Sequence, residues 1–291
     1  LTLTWFVPAQ AKNYYSEDGE FVLGYWWSDQ PSVTLDSVSV KYSIGGRSAV
    51  SVPDTTEKTT VAPSEGDSDF RTASEIVSDI KVGWNLGNTL ESYNTNKTGL
   101  NTETGWGNPK TTKEMITAVK NAGFNAVRVP VTWGEHMDGD TIQSDWLDRV
   151  QEVVDYAYDQ DMYVILNMHH DDYIWFKPAD SEYSANSAKL KAIWSQISQR
   201  FGDYGDRLIF EGMNEPRTVG SANEWMGGTS EERAVVSKYE QDFVDTVRAS
   251  GGNNAYRSLI VTSYAASAET AAMNDLTVPN SGNIIVSIHY Y

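Results

Sequence analysis

From Phe70 onward the chain alternates between two kinds of segment, and this alternation limits its architecture more than any other feature. Six short apolar runs, at 82–86, 126–131, 164–168, 208–213, 259–262 and 284–288, are nearly continuous. A strand with one wet face would alternate apolar and polar residues; a continuous run suits a strand covered on both faces, as in a parallel sheet. The segments between them have helical spacing. Met115, Ile116, Val119 and Ala122 make one apolar face, with Thr111 and Glu114 read as a capping box and Gly123 at the end. Leu147, Val150, Val153, Val154 and Ala157 make a second. Leu190, Ile193, Trp194 and Ile197 make a third, and Val236, Tyr239, Phe243 and Val247 a fourth. Such a rhythm leaves a doubly wound open sheet or an eight-stranded βα barrel. Only Gly83 and Gly87 follow the first run, with no glycine-rich phosphate loop, which disfavours a nucleotide-binding sheet. The prediction is an α/β chain with about six units of a (β/α)8 TIM barrel over residues 70–291, behind a small amino-terminal β-module.

That module occupies residues 1–52, where short alternating runs are punctuated by Gly19, Gly24, Pro31 and Gly45-Gly46. Trp26 and Trp27 make it a candidate for carbohydrate binding, although alternation puts one of them in the core. Residues 53–69 are polar, rich in Thr and Ser, and read as a linker. The absence of Met at Leu1 suggests a processed or trimmed start.

Forty acidic residues against 22 basic ones give a net charge of −18. Nucleic acid and anionic lipid both need a positive footprint, so neither is expected as a partner. No apolar run is long enough to span a bilayer. Cysteine is absent, which excludes disulfides and thiolate zinc sites. An uncharged partner suits this balance, and ten Trp with 16 Tyr provide flat faces for sugar rings, although most will fill the core.

The polar residues that stand out fall at the carboxyl ends of the predicted strands: Asn88, Arg128, His169, His170, Asn214, Glu215, His289 and Tyr291. Parallel strands would bring them to one mouth, where barrel enzymes place their chemistry. A carboxyl used as a general acid there needs a raised pKa, through burial or a neighbouring charge. His169-His170-Asp171-Asp172 could be mistaken for metal ligands, but neighbours on a strand point to opposite faces, so no metal is predicted. Asn85 and Asn88 serve equally well as turn residues. Trp225 and Trp175 lie in loops and are candidate sugar platforms, whereas Trp146 and Trp194 lie on helix faces and read as packing. Glu135 is disfavoured as a second carboxylate, and Asn96-Lys97-Thr98 is a glycosylation sequon by pattern only.

Glu211-Gly212-Met213-Asn214-Glu215-Pro216-Arg217, after Leu208-Ile209-Phe210, resembles the Asn-Glu-Pro signature of glycoside hydrolase family 5. Gly83-Trp84-Asn85-Leu86-Gly87-Asn88-Thr89-Leu90 is similar to the first-strand motif of its bacterial endoglucanase branch. So are Thr104-Gly105-Trp106-Gly107-Asn108-Pro109, Val127-Arg128-Val129-Pro130-Val131-Thr132-Trp133 and the His169-His170 pair, all in the family's order. The resemblance implies a secreted, retaining endo-β-1,4-glucanase that needs no cofactor and acts on a β-glucan polysaccharide or oligosaccharide. It implies Glu215 as acid/base, Asn214 on the sugar 2-hydroxyl and Arg128 on the nucleophile carboxylate. His169, His170, His289 and Tyr291 would shape the site. Two carboxyls would stand roughly 5–5.5 Å apart, with a covalent intermediate.

The sequence departs from the family at its end. There the nucleophile is a glutamate after the seventh strand and a tryptophan follows on the eighth, whereas Tyr291 falls at the end of the sixth. The expectation is that the remaining units belong to the rest of the same polypeptide or to a second chain. The 291 residues alone are then expected to hydrolyse nothing. Gly19-Glu20-Phe21 as a permuted seventh strand is disfavoured, because residues 33–44 continue as strand where a helix should follow. A glucan-binding fragment without turnover is the alternative from another class. Within the family, xyloglucan, xylan and mannan remain open beside cellulose and mixed-linkage glucan. A barrel enzyme for phosphate-bearing substrates is disfavoured by the acidity.

Overall fold

The computed structural model describes residues 70–290, and before them only a short antiparallel pair, Tyr14–Tyr15 with Phe21–Val22. The rest of the predicted β-module, including Trp26 and Trp27, the 53–69 linker and Tyr291 lie outside the described residues.

Among the described residues, six strands form one parallel sheet: β1 (Gly83–Asn85), β2 (Ala126–Val129), β3 (Tyr163–Asn167), β4 (Leu208–Glu211), β5 (Leu259–Thr262) and β6 (Ile284–Ser287). Each pairs with its sequence neighbour, in the order 6-5-4-3-2-1. Helices α2 (Lys113–Asn121), α3 (Ser144–Tyr158), α4 (Tyr183–Arg200), α5 (Ser230–Ala249) and α6 (Thr270–Asp275) fill the crossovers. Sequential parallel strands with a helix between each pair are the βα units of a (β/α)8 barrel.

The period-2 rule sorts each strand into two faces. Val127, Val129, Val164, Leu166, Leu208, Phe210, Leu259 and Val261 share one large core with the helices. The alternate residues face inward, and they change character along the axis. Ala126, Tyr163, Ile165, Ile209, Ile260 and Ile285 form an apolar layer at the amino-terminal end. Arg128, Asn167, Glu211, Thr262 and Ser287, all buried, form a polar layer at the carboxyl end. A short helix, α1 (Ala73–Asp79), closes the apolar end by inserting Ile76 among those side chains. Its amino terminus carries a capping box between Thr72 and Glu75. Arg71, just before it, ties Asp206 (2.6 Å) and Tyr163 (2.6 Å) to the plug.

The predicted faces of α3, α4 and α5 are buried, and Trp146 and Trp194 are fully enclosed packing residues. One predicted cap is misplaced. The N-cap of α2 is Thr112, which accepts from the Met115 amide. Thr111 is drawn inward instead: its amide donates to Glu103 (2.7 Å), and its carbonyl accepts from Arg149 (2.7 Å). Glu103 and Arg149 form a buried two-point pair, Nε and Nη2 each 2.8 Å from a carboxylate oxygen. Met115, expected on the inner face of α2, is 37% exposed.

His136 lies flat against Trp146, centroids 3.5 Å apart, with Nε2 3.2 Å from the Thr102 hydroxyl. Burial pushes its imidazole down to about 4. The unfolded chain therefore takes up this proton near its ordinary value, and the folded protein does not until about pH 4. Stability is lost as pH falls through that window. His136→Phe should flatten the dependence: between pH 7 and pH 5 the variant should lose about 2 kcal/mol less than the parent in urea titrations. Equal slopes would show that His136 is not the group responsible.

Candidate active site

The polar end of the barrel is organised by Arg128, 3% exposed on β2. Its Nε donates to Glu211 on β4 (2.7 Å), Nη1 to the Asn85 side chain on β1 (3.0 Å) and Nη2 to Asn214 Oδ1 (2.8 Å). One planar fork thus fixes the ends of β1, β2 and β4 against one another. Asn214 is held by its carbonyl end, which leaves its N–H donors for an incoming group.

Glu215 follows, 8% exposed. Pro216 behind it disfavours the helical region for Glu215, and the chain bends at Asn214 and Glu215 as it leaves β4. Its Oε1 stands 2.8 Å from Nδ1 of His289, just past β6. The backbone that places His289 is unusual. Ala265 and Ala266, after β5, both adopt positive φ (54° and 49°), a region that costs a side-chain-bearing residue free energy. In that conformation the Ala265 amide donates to the Pro216 carbonyl (2.9 Å), and the Ala266 carbonyl accepts from the His289 amide (2.8 Å). The strained pair is a brace between the carboxyl and the imidazole.

His169 and His170 lie beyond β3, which ends at Asn167. The strand alternation expected to separate them does not apply there, and their rings meet edge to face, centroids 4.4 Å apart. Asn167 accepts the Val131 amide through Oδ1 (3.2 Å), so its NH₂ end meets His169 Nδ1 (3.0 Å). Nδ1 is then the acceptor, and the neutral ring carries its proton on Nε2. Burial holds His169 well below the usual imidazole value. It pushes His170 down to about 4, with the Arg217 charge adding to the effect. Both rings are uncharged near neutrality. No group of three or more His, Asp or Glu among the described residues is arranged to hold a metal ion.

Around His170 the loops contribute an aromatic wall. Tyr93 stacks on Tyr173 (5.1 Å, 22°) and meets Trp106 (5.3 Å) and His170 (5.3 Å). Trp106 and Tyr173 remain 37% and 42% exposed, as a surface that receives a flat ligand must. Trp225 is 54% exposed, with one face on the Arg217 guanidinium at 4.4 Å. Arg217 itself is buried between Asp172, Glu224 (2.9 Å) and the Tyr173 hydroxyl (2.5 Å). Burial pushes the Asp172 carboxyl up to about 7, against the opposing pull of Arg217.

Arg128, His169, His170, Asn214, Glu215 and His289 therefore gather at one end of the sheet, with Trp225 on its rim. Asn88 serves the turn instead: it is exposed, its φ is +60°, and its amide is bound by Glu91. Asn85 is the amide that reaches Arg128. Trp175 is half-buried, its indole donating to Asp171 (2.7 Å) and its ring covered by Lys189 (4.8 Å). Glu135 is exposed and ties a loop by accepting the Asn94 amide (2.9 Å). Sequence reasoning missed Glu211, Arg217, Tyr93, Trp106 and Tyr173. Three carried a signal: Glu211 breaks an apolar run on its inward register, Arg217 adjoins the Asn-Glu-Pro motif, and Trp106 lies inside the Thr104–Pro109 motif. Glu91 was missed as well; it accepts the Thr89 amide (2.8 Å), and burial pushes its carboxyl up to about 7.

Residues 89–291 match the family model described as Cellulase (glycosyl hydrolase family 5), and residues 1–41 match that of a domain of unknown function, DUF5620. Endoglucanase A of Clostridium longisporum is 51% identical over 229 residues, covering 76% of this chain and 44% of its own length. Endoglucanase A of Ruminococcus albus is 51% identical over 223 residues, covering 75% of this chain and 60% of its own. The chain thus spans about half the length of these curated relatives. A solved GH5-4 broad specificity endoglucanase from Ruminococcus champanellensis with bound cellotriose matches with a TM-score of 0.74 and 49% identity, over 77% of this chain and 68% of that one.

Proposed function

The chain belongs to glycosyl hydrolase family 5, and from that premise we propose that it cleaves β-1,4-glucans internally, with retention at the anomeric carbon and Glu215 as acid/base. The observation that carries this reading is the buried Glu215 carboxyl, 2.8 Å from His289 and beside an Asn214 amide oriented by Arg128. A general acid must be held at a fixed distance from the oxygen it protonates, in a site dry enough to keep its proton. In the first step Glu215 gives that proton to the leaving oxygen while a carboxylate forms a bond to the anomeric carbon. In the second it takes a proton from water, which hydrolyses the glycosyl ester. The resemblance puts the nucleophile on a seventh strand; β1 to β6 are read as the half that handles the leaving group and the sugar hydroxyls. Neutral His169 and His170 offer hydrogen bonds there without adding charge, and the Asn214 N–H donors are assigned to the 2-hydroxyl.

A relative seen with bound cellotriose supports a β-glucan chain, branched or not, as the ligand assigned to the aromatic wall. Secretion belongs to the same proposal, since a polymer of this kind is met outside the cell; cell fractionation tests it.

The full-length protein should lower the viscosity of a soluble cellulose derivative faster than it releases reducing ends. Proton NMR of cello-oligosaccharide digests should show the β anomer first. An α anomer formed first would exclude the retaining mechanism, and release confined to chain ends would exclude internal cleavage.

A further inference from the structure

Arg217 is one of the largest fully buried side chains, and its contacts join two loops, the one after β3 and its own after β4. Its Nη1 pairs with Asp172 from the loop after β3 and donates to the backbone carbonyl of Glu215 (3.1 Å). The same nitrogen stands 3.9 Å from Glu215 Oε2. Its Nε donates to Glu224 (2.9 Å), in the loop that also carries Trp225. Nη2 donates to the Tyr173 hydroxyl, and the guanidinium plane lies 5.0 Å from the Tyr173 ring and 4.4 Å from that of Trp225. A buried cluster of this kind is weak evidence for stability, because an apolar replacement often matches it. A planar fork does fix directions, though, and this one holds the Glu215 backbone carbonyl (3.1 Å) and underlies the exposed Trp225 ring (4.4 Å) at once.

We infer that Arg217 is a positioning residue. It holds Glu215 in the orientation from which its proton reaches the leaving oxygen, and it ties that orientation to the Trp225 surface on which the glucan rests. This rests on the reading of Glu215 as acid/base. Glu224, 2.9 Å from its Nε, is set against the Arg217 charge, so its effect on Glu215 is mainly one of direction. His289, on the other side of the carboxyl, sets the second constraint.

Two substrates separate positioning from a structural role. A β-glucan needs its leaving oxygen protonated; a dinitrophenyl β-cellobioside does not, because its phenolate departs as the anion. In the full-length protein, Arg217→Met should lower kcat/KM on β-glucan by ~100-fold, the scale of a misdirected catalytic group. On the dinitrophenyl substrate the loss should stay under about threefold. Arg217→Lys, which keeps the charge and loses the fork, should fall between parent and Arg217→Met on β-glucan. Equal losses on both substrates would reduce Arg217 to a structural knot, and no loss on either would remove it from the site. Should Arg217→Met fail to fold, Glu224→Gln leaves Arg217 in place but loosens it from the Trp225 loop. It should cost about tenfold on β-glucan alone, and a loss shared by both substrates would overturn the inference. Glu215→Gln is measured beside them. If it discriminates between the substrates and the Arg217 variants do not, only the positioning role fails; if it loses nothing, the acid/base reading fails as well.

Discussion

Glu215→Gln in the full-length protein is expected to lower kcat on a β-1,4-glucan by ~10²- to 10⁴-fold, the range of general acid–base catalysis. Affinity for cellotriose should stay within about threefold. The substitution is nearly isosteric, and its amide can still bond His289 in the place of the carboxyl at 2.8 Å. The brace through Ala265 and Ala266 is backbone and is untouched. What disappears is a transferable proton, so the loss belongs to kcat and not to binding. Because a general acid works only while protonated, the alkaline limb of the parent's kcat/KM profile should also flatten in the variant. Residual activity within tenfold of the parent, with the alkaline limb intact, would assign proton transfer to another group. A chain that binds cellotriose and shows no turnover to lose would favour the glucan-binding alternative.

The parts of this molecule that were legible in its sequence are those where one local rule decides. The four inner strands are covered on both faces, so each shows as an apolar run, and the run at 259–262 coincides with β5. The edge strand β1, expected to be covered likewise, leaves Trp84 43% exposed because no strand pairs beyond it among the described residues. The runs at 126–131 and 208–213 overshoot β2 and β4, which end at Val129 and Glu211. Val131 and Met213 remain buried after the ladder has ended, and hydrophobicity reports burial rather than pairing. The short α1 was not foreseen, because its seven residues are too few to display a period. Two adjacent threonines made the cap of α2 ambiguous by one position, and a buried Glu103–Arg149 pair decided between them. In the site, Glu215, Asn214 and Arg128 could be read because a motif and a strand end coincide there. The Tyr93, Trp106 and Tyr173 wall could not. Tyr93 and Trp106 lie thirteen residues apart in the loop after β1 and Tyr173 in the loop after β3, and no spacing along the chain records that they meet.

Arg128→Met should destabilise the fold by ~3–5 kcal/mol, the range for removing one partner of a buried ion pair. Glu211 is 1% exposed, and the guanidinium Nε lies 2.7 Å from its Oε2. Without Arg128 that carboxylate stays in the polar layer of the barrel with a charge that water cannot reach. Asn85 and Asn214 lose their donor at the same time. Arg128→Met with Glu211→Leu should be more stable than Arg128→Met alone, because the second change removes the stranded charge. Urea unfolding of the parent, both single variants and the double gives the coupling directly. The double variant should nevertheless recover none of the catalysis, since nothing then orients the Asn214 amide toward the sugar. A cost below about 1 kcal/mol for Arg128→Met would mean that the pair is solvated in the protein, and that this end of the barrel is wetter than its packing implies.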